Sequence, residues 1–173
     1  MATASETESV STSTLPAESD RRQNRPMDSI RFDVSPWDMG GASFMVIEPI
    51  INEVPLRELA EVVEAPFASA EGKPQLAGSY AGLGSVERLR WPSRHYLGDP
   101  IFSWFDTGDT VLLGCECGEW GCWPLTAQVE VADDTVRWSG FRTGHRDWNL
   151  ASLGPFEFDR REYEHALGRS AEQ

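Results

Sequence analysis

Lysine is almost missing from this chain. Lys73 stands alone among 173 residues, and the other cations are arginines. Such a bias is the mark of GC-rich coding and points to a bacterial origin. Cysteine is missing everywhere except between positions 115 and 122. No apolar run approaches the roughly 18 residues of a membrane-spanning helix, and the N-terminus lacks the basic-then-apolar pattern of a secretory signal. There is no P-loop, no dinucleotide fingerprint and no His-Glu-x-x-His, so the common nucleotide and zinc-hydrolase signatures are excluded. Positive charge is scarce as well. The net charge is −13, and residues 1–26 contribute only −1 of it, leaving −12 for the remainder. A body of that sign repels phosphate backbones and anionic bilayers, so nucleic acid and membrane are not expected partners.

What is present is a globular composition, 40% hydrophobic with seven Trp and eight Phe, on a length suited to one domain. Residues 1–26, rich in Ser, Thr, Ala, Glu and Pro, have little to bury and are expected to be a disordered tail. Residues 27–173 are expected to form a single domain.

Within it, Ile30, Phe32 and Val34 alternate as a strand ended by Pro36. A Gly40-Gly41 turn leads into a second strand, Ser43 to Glu48. A helix follows, capped by Asn52 and stopped by Pro66, with Leu56, Leu59, Val63 and Phe67 inward and Glu58, Glu61 and Glu64 outward. Residues 68–100 show no stable period and read as a long loop with short elements at most. Strands are expected at 101–105 and 110–113. A hairpin follows, in which Leu125, Ala127, Val129 and Val131 pair with Val136 and Trp138 across Asp133-Asp134. The last helix opens at Asp159, with Glu162 completing a capping box and Phe158 and Tyr163 a hydrophobic staple, and ends at Gly168. The expected fold is α+β, a mainly antiparallel sheet with one internal and one C-terminal helix.

The chemistry concentrates in Gly114-Cys115-Glu116-Cys117-Gly118-Glu119-Trp120-Gly121-Cys122. Gly118 and Gly121 can take positive φ and turn three sulfurs toward one point. In a cytoplasmic setting, where thiols stay reduced, clustered cysteines favour metal or redox chemistry over a structural disulfide. Cys115, Cys117 and Cys122 are three soft ligands, and tetrahedral zinc needs a fourth. His145 is the leading candidate, because a hairpin returns the chain toward the knuckle, with Asp147 able to orient its ring. His95 is the reserve. Three thiols that merely pack at a strand end are the alternative without chemistry. A second candidate site is the only basic stretch of the body, Glu87 to Tyr96, where Arg90, Arg94 and His95 form an Arg and aromatic surface for an acidic group. Trp120, Trp123, Trp138 and Trp148 either line a ligand pocket or fill the core.

Locally, Cys115 to Cys122 resembles the zinc knuckle of post-SET segments, with the same Cys-x-Cys-Gly-x3-Cys spacing over eight residues. Neither the Asn-His-Ser stretch nor the Gly-Glu-Glu-Leu segment of the SET methyltransferase core is present, which argues for shared knuckle geometry without that activity. More broadly, Leu113 to Leu125, with Trp138, Trp148, Leu153-Gly154-Pro155-Phe156 and Tyr163, resembles a family of uncharacterised microbial proteins. These carry a Gly-Cys-x-Cys-Gly-x-x-Gly-Cys segment and a Leu-Gly-Pro-Phe before the last helix. That resemblance implies no activity.

Three functions are compatible with these residues. The first is a non-enzymatic cytoplasmic protein-interaction module with a structural zinc knuckle, Trp120 and Trp148 contributing to the partner surface. The second is an acidic inhibitor or immunity-type protein that masks a basic partner. The third is a thiol enzyme using cysteine, His145 and Asp147.

Overall fold

The structure, a computed structural model, describes residues 26–84 and 86–173. Apart from Pro26, the expected N-terminal tail lies outside the described residues.

The fold is α+β, as expected, and its strands divide between two antiparallel sheets. The first is built on a long hairpin. β1 (Ile30–Met39) pairs with β2 (Ala42–Ile51) from Ile30 opposite Ile51 to Met39 opposite Ala42, and β3 (Val54–Pro55) adds a short third strand. Pro36 does not end β1. At the edge of a three-stranded sheet, a residue without an N–H is tolerated wherever that N–H would face away from the neighbour.

α1 (Leu56–Ala70) follows directly. Two expectations for it are corrected. Asn52 is not its cap: the Asn52 side chain accepts from Ser29 N–H at 2.9 Å and donates to Asp28, and Pro55 holds the N-cap position. Pro66 does not stop the helix either. The carbonyl it leaves unpaired belongs to Val62, which is 75% exposed and so is free to bond water. The buried stripe runs through Leu56, Ala60, Glu64 and Ala68, with Leu59 and Val63 at its border. Glu64, expected outside, is fully buried.

Short elements occupy the region read as a long loop: 3-10 turns at Pro74–Leu76 and His95–Leu97, β4 (Tyr80–Ala81) and α2 (Val86–Leu89). β4 opens the second sheet. It pairs with β5 (Thr110–Cys115), followed in order by β6 (Leu125–Val131), β7 (Thr135–Thr143) and β8 (Phe156–Asp159). Just beyond β4, Leu83 bonds Ile47 of β2 in both directions at 2.9 Å and stitches the sheets together.

No strand forms at 101–105. The buried carboxylate of Asp109 accepts from Ser103 Oγ at 3.0 Å, Trp104 N–H at 3.2 Å and Phe105 N–H at 2.9 Å. These local bonds satisfy the backbone in place of a sheet ladder. The β6–β7 hairpin matches its expectation, with Val129 opposite Trp138. β8 was not foreseen. Its Phe156 and Phe158 lie opposite Trp138 and Val136 and are buried.

The C-terminal helix, α3 (Arg160–Arg169), begins as expected: Asp159 accepts from Arg161 N–H and Glu162 N–H at 2.9 and 3.0 Å. Tyr163 and Phe158 pack with tilted rings at 5.5 Å. With Phe32, Tyr96 and Trp138 they form an aromatic core, in which Tyr163 donates to the Tyr96 carbonyl at 2.6 Å. No described helix is long and apolar enough to cross a membrane.

Candidate functional site: a three-cysteine knuckle

β5 delivers Cys115 at its last position, and the chain then turns tightly. Gly118 N–H bonds the Cys115 carbonyl at 3.0 Å, and Cys117 N–H approaches Cys115 Sγ at 3.4 Å. Gly118 has φ +86°, and an added Cβ there would sit 3.0 Å from the ring of Phe44. Both the conformation and the space therefore require glycine. Gly121 does not take positive φ as expected. It lies in a 3-10 turn, Trp120–Cys122, tied by Cys122 N–H to the Glu119 carbonyl at 3.0 Å.

The result is that Cys115, Cys117 and Cys122 bring their sulfurs within 4.8 Å of one another. All three are free thiols, Cys115 half-buried and the other two exposed. Burial, reinforced by the neighbouring thiols, pushes Cys115 up to about 12. Cys117 is held below the ordinary thiol value by a hydrogen bond from the Glu119 backbone and by the adjacent thiols. Sulfurs sharing one tetrahedral metal at about 2.3 Å stand roughly 3.8 Å apart, so the donor set and spacing fit a soft or borderline ion with little contraction.

Two distant segments clamp the knuckle. From the β1–β2 hairpin tip, Trp37 Nε1 donates to the Glu116 carbonyl at 3.0 Å, and Phe44 and Met39 approach Gly118. From the other side, Trp120 packs against Phe102 at 5.0 Å and edge-on to Trp104 at 6.4 Å. Sequence patterning offered no signal for the hairpin contacts, which join residues about 80 positions apart.

His145 reaches the knuckle's neighbourhood. Its Nε2 donates to the Gly121 carbonyl at 3.2 Å, and its ring packs against Trp104 at 4.9 Å. It is not in the group of ligand atoms within 4.8 Å, which among the described residues contains only the three cysteines. His95 is unsuited to ligation or to a partner surface. It is fully buried, Nδ1 accepts from Ile101 N–H at 3.1 Å, Nε2 donates to the Val111 carbonyl at 2.8 Å, and burial lowers its pKa to about 4.

The other expected partner residues scatter. Arg90 pairs with Glu87 at 2.5 Å, and Arg94 is exposed on the same surface groove. Trp120 and Trp148 are half-buried, whereas Trp138 and Trp123 belong to the core. Trp148 donates to Glu71 at 2.8 Å and stacks on Phe67 at 6.3 Å.

No family model, curated protein or solved structure matches this chain.

Proposed function

We infer that this chain is a non-enzymatic protein-interaction module whose Cys115–Cys117–Cys122 knuckle holds a structural zinc ion. The observation that carries this reading is the convergence of three sulfurs within 4.8 Å at the end of a buried strand. Zinc, when bound, supplies a cross-link among the turn's thiolates and is linked to folding stability, because the unfolded chain holds no preformed site. His145 is the fourth ligand of the proposal. To take that place its ring must move toward the sulfurs, because neither nitrogen now belongs to the group within 4.8 Å; ligation through Nδ1 would let Nε2 keep a carbonyl partner. The hairpin tip lies on the knuckle through Trp37, Met39 and Phe44, and Met39 and Met45 are exposed there, so metal binding would stiffen an apolar surface suited to a protein partner.

Metal analysis of protein purified without chelator tests the reading. About one zinc per chain is expected, with loss of zinc and of thermal stability in Cys117→Ser. Stoichiometric absence of metal overturns it.

A second reading, thiol chemistry at Cys117, is favoured by that residue's exposure and lowered pKa. Against it, His145 is bonded to a carbonyl and not to a sulfur.

A further inference from the structure

Next to the knuckle, a groove of about 440 Å³ is lined by Phe105, His145 and Trp148 among others. Its walls carry Arg142 and Arg146 in a chain otherwise dominated by carboxylates. We propose that this groove binds a small carboxylic acid, with the carboxylate seated on the guanidinium of Arg142.

Arg142 is held by an aromatic face. Its guanidinium carbon lies 3.4 Å from the centre of the Phe105 ring, in face contact. Among the described residues no carboxylate lies within the 4.0 Å of an ion pair with it. A stacked guanidinium keeps its planar N–H fork free, and that fork matches a carboxylate in bidentate fashion. Most other cations of the domain are already spent: Arg31, Arg57, Arg90, Arg137, Arg146 and Arg160 all pair with carboxylates.

Both walls are built before any ligand arrives. Phe105 is fixed by its N–H bond to Asp109 at 2.9 Å. Arg146 and Trp148 are held in turn by Glu71 at the end of α1, which accepts from Arg146 Nε at 3.0 Å and from Trp148 Nε1 at 2.8 Å. The floor is as rigid. Gly144 N–H bonds the Pro124 carbonyl at 2.9 Å and its carbonyl accepts from Trp104 Nε1 at 3.0 Å, with so little space that a Cβ would come within 2.4 Å of Pro124. Preorganisation of this kind reduces the ordering cost of binding.

Three further features choose among anions. Asp147 also lines the groove and opposes a doubly charged phosphate more than a single carboxylate. Phe105 and Trp148 each have one face covered, by Arg142 and by Phe67, and what they leave toward the groove is aromatic carbon, which suits a ligand with an apolar body. The surrounding net charge repels a polyacidic chain at long range. None of this depends on a metal in the knuckle.

The test is an amide-resolved NMR titration of the full chain with sodium benzoate at constant ionic strength. Saturable shifts centred on residues 142–148 are expected. Arg142→Gln, and separately Arg142→Lys, which keeps the charge but loses the fork, should weaken binding about ten-fold or more. Arg94→Gln should leave it unchanged. Unsaturable shifts, an Arg142→Gln titration like that of the native chain, or tighter binding of inorganic phosphate or hexaglutamate at the same residues each overturn the proposal. Arg142 is exposed, and the Arg142→Lys variant keeps the test open if Arg142→Gln does not fold.

Discussion

Tyr80 donates its phenolic hydrogen to the carboxylate of Glu64 at 2.5 Å, inside the core and between α1 and β4. The second carboxylate oxygen accepts from Gly78 N–H at 2.9 Å. A helix whose pattern assigns this glutamate to solvent thus turns it inward, and two donors make its burial tolerable.

That pairing sets a pH dependence. Burial raises Glu64 above its ordinary value of 4.5, and the hydrogen bonds from Gly78 and Tyr80 only partly offset it. The folded chain therefore keeps a proton that the unfolded chain has lost, and this group's contribution to stability falls as pH rises from about 4.5 through the raised folded value. Tyr80→Phe removes one offset. It should cost about 1–3 kcal/mol at a pH above the raised folded value and less near pH 4, where the carboxyl is mostly protonated in both states. Urea unfolding at the two pH values checks this, and an equal cost at both would mean that the bond does not stabilise a charged carboxylate.

The knuckle thiols should differ sharply in reactivity. Cys117 is exposed and lowered, whereas Cys115 is half-buried and pushed up to about 12. In metal-free protein near neutral pH, iodoacetamide should label Cys117 first and Cys115 at least about ten-fold more slowly. Peptide mass spectrometry reads the order, and equal rates would show that the turn does not distinguish its sulfurs. Prior loading with zinc should protect all three.

Asp109 is the support on which both the knuckle and the groove lean. It bonds Ser103, Trp104 and Phe105; Trp104 in turn packs on His145 and donates to Gly144, and Phe105 carries Arg142. Asp109→Ala should cost about 1–3 kcal/mol, the range for leaving buried donors without their acceptor. The indole resonance of Trp104 should shift with it. A variant as stable as the native chain, with that resonance unmoved, would show that the loop holds itself.

Much of the candidate site was legible in the residues alone, because it is local. Cys-x-Cys-x4-Cys spans eight positions, and with a turn at Gly118 the sulfurs can scarcely avoid one another. Asp159 caps α3 through groups two and three residues away, and the β6–β7 hairpin is written in alternation across a short turn. Such interactions depend on spacing within a few residues, which sequence records directly.

What only the tertiary structure decided involves contacts between distant segments. The burial of Glu64 depends on Tyr80 and Gly78 arriving beside α1, and that of His95 on the bonds offered by Val111 and Ile101. Phe44 against Gly118, and Phe105 beneath Arg142, likewise follow from how hairpin, loop and sheet pack together. Periodicity assigns a polar or aromatic residue to a face without naming the donor or ring it will meet there. A buried carboxylate or imidazole becomes tolerable only once that partner is in place, so its position is set by packing between segments far apart in the chain.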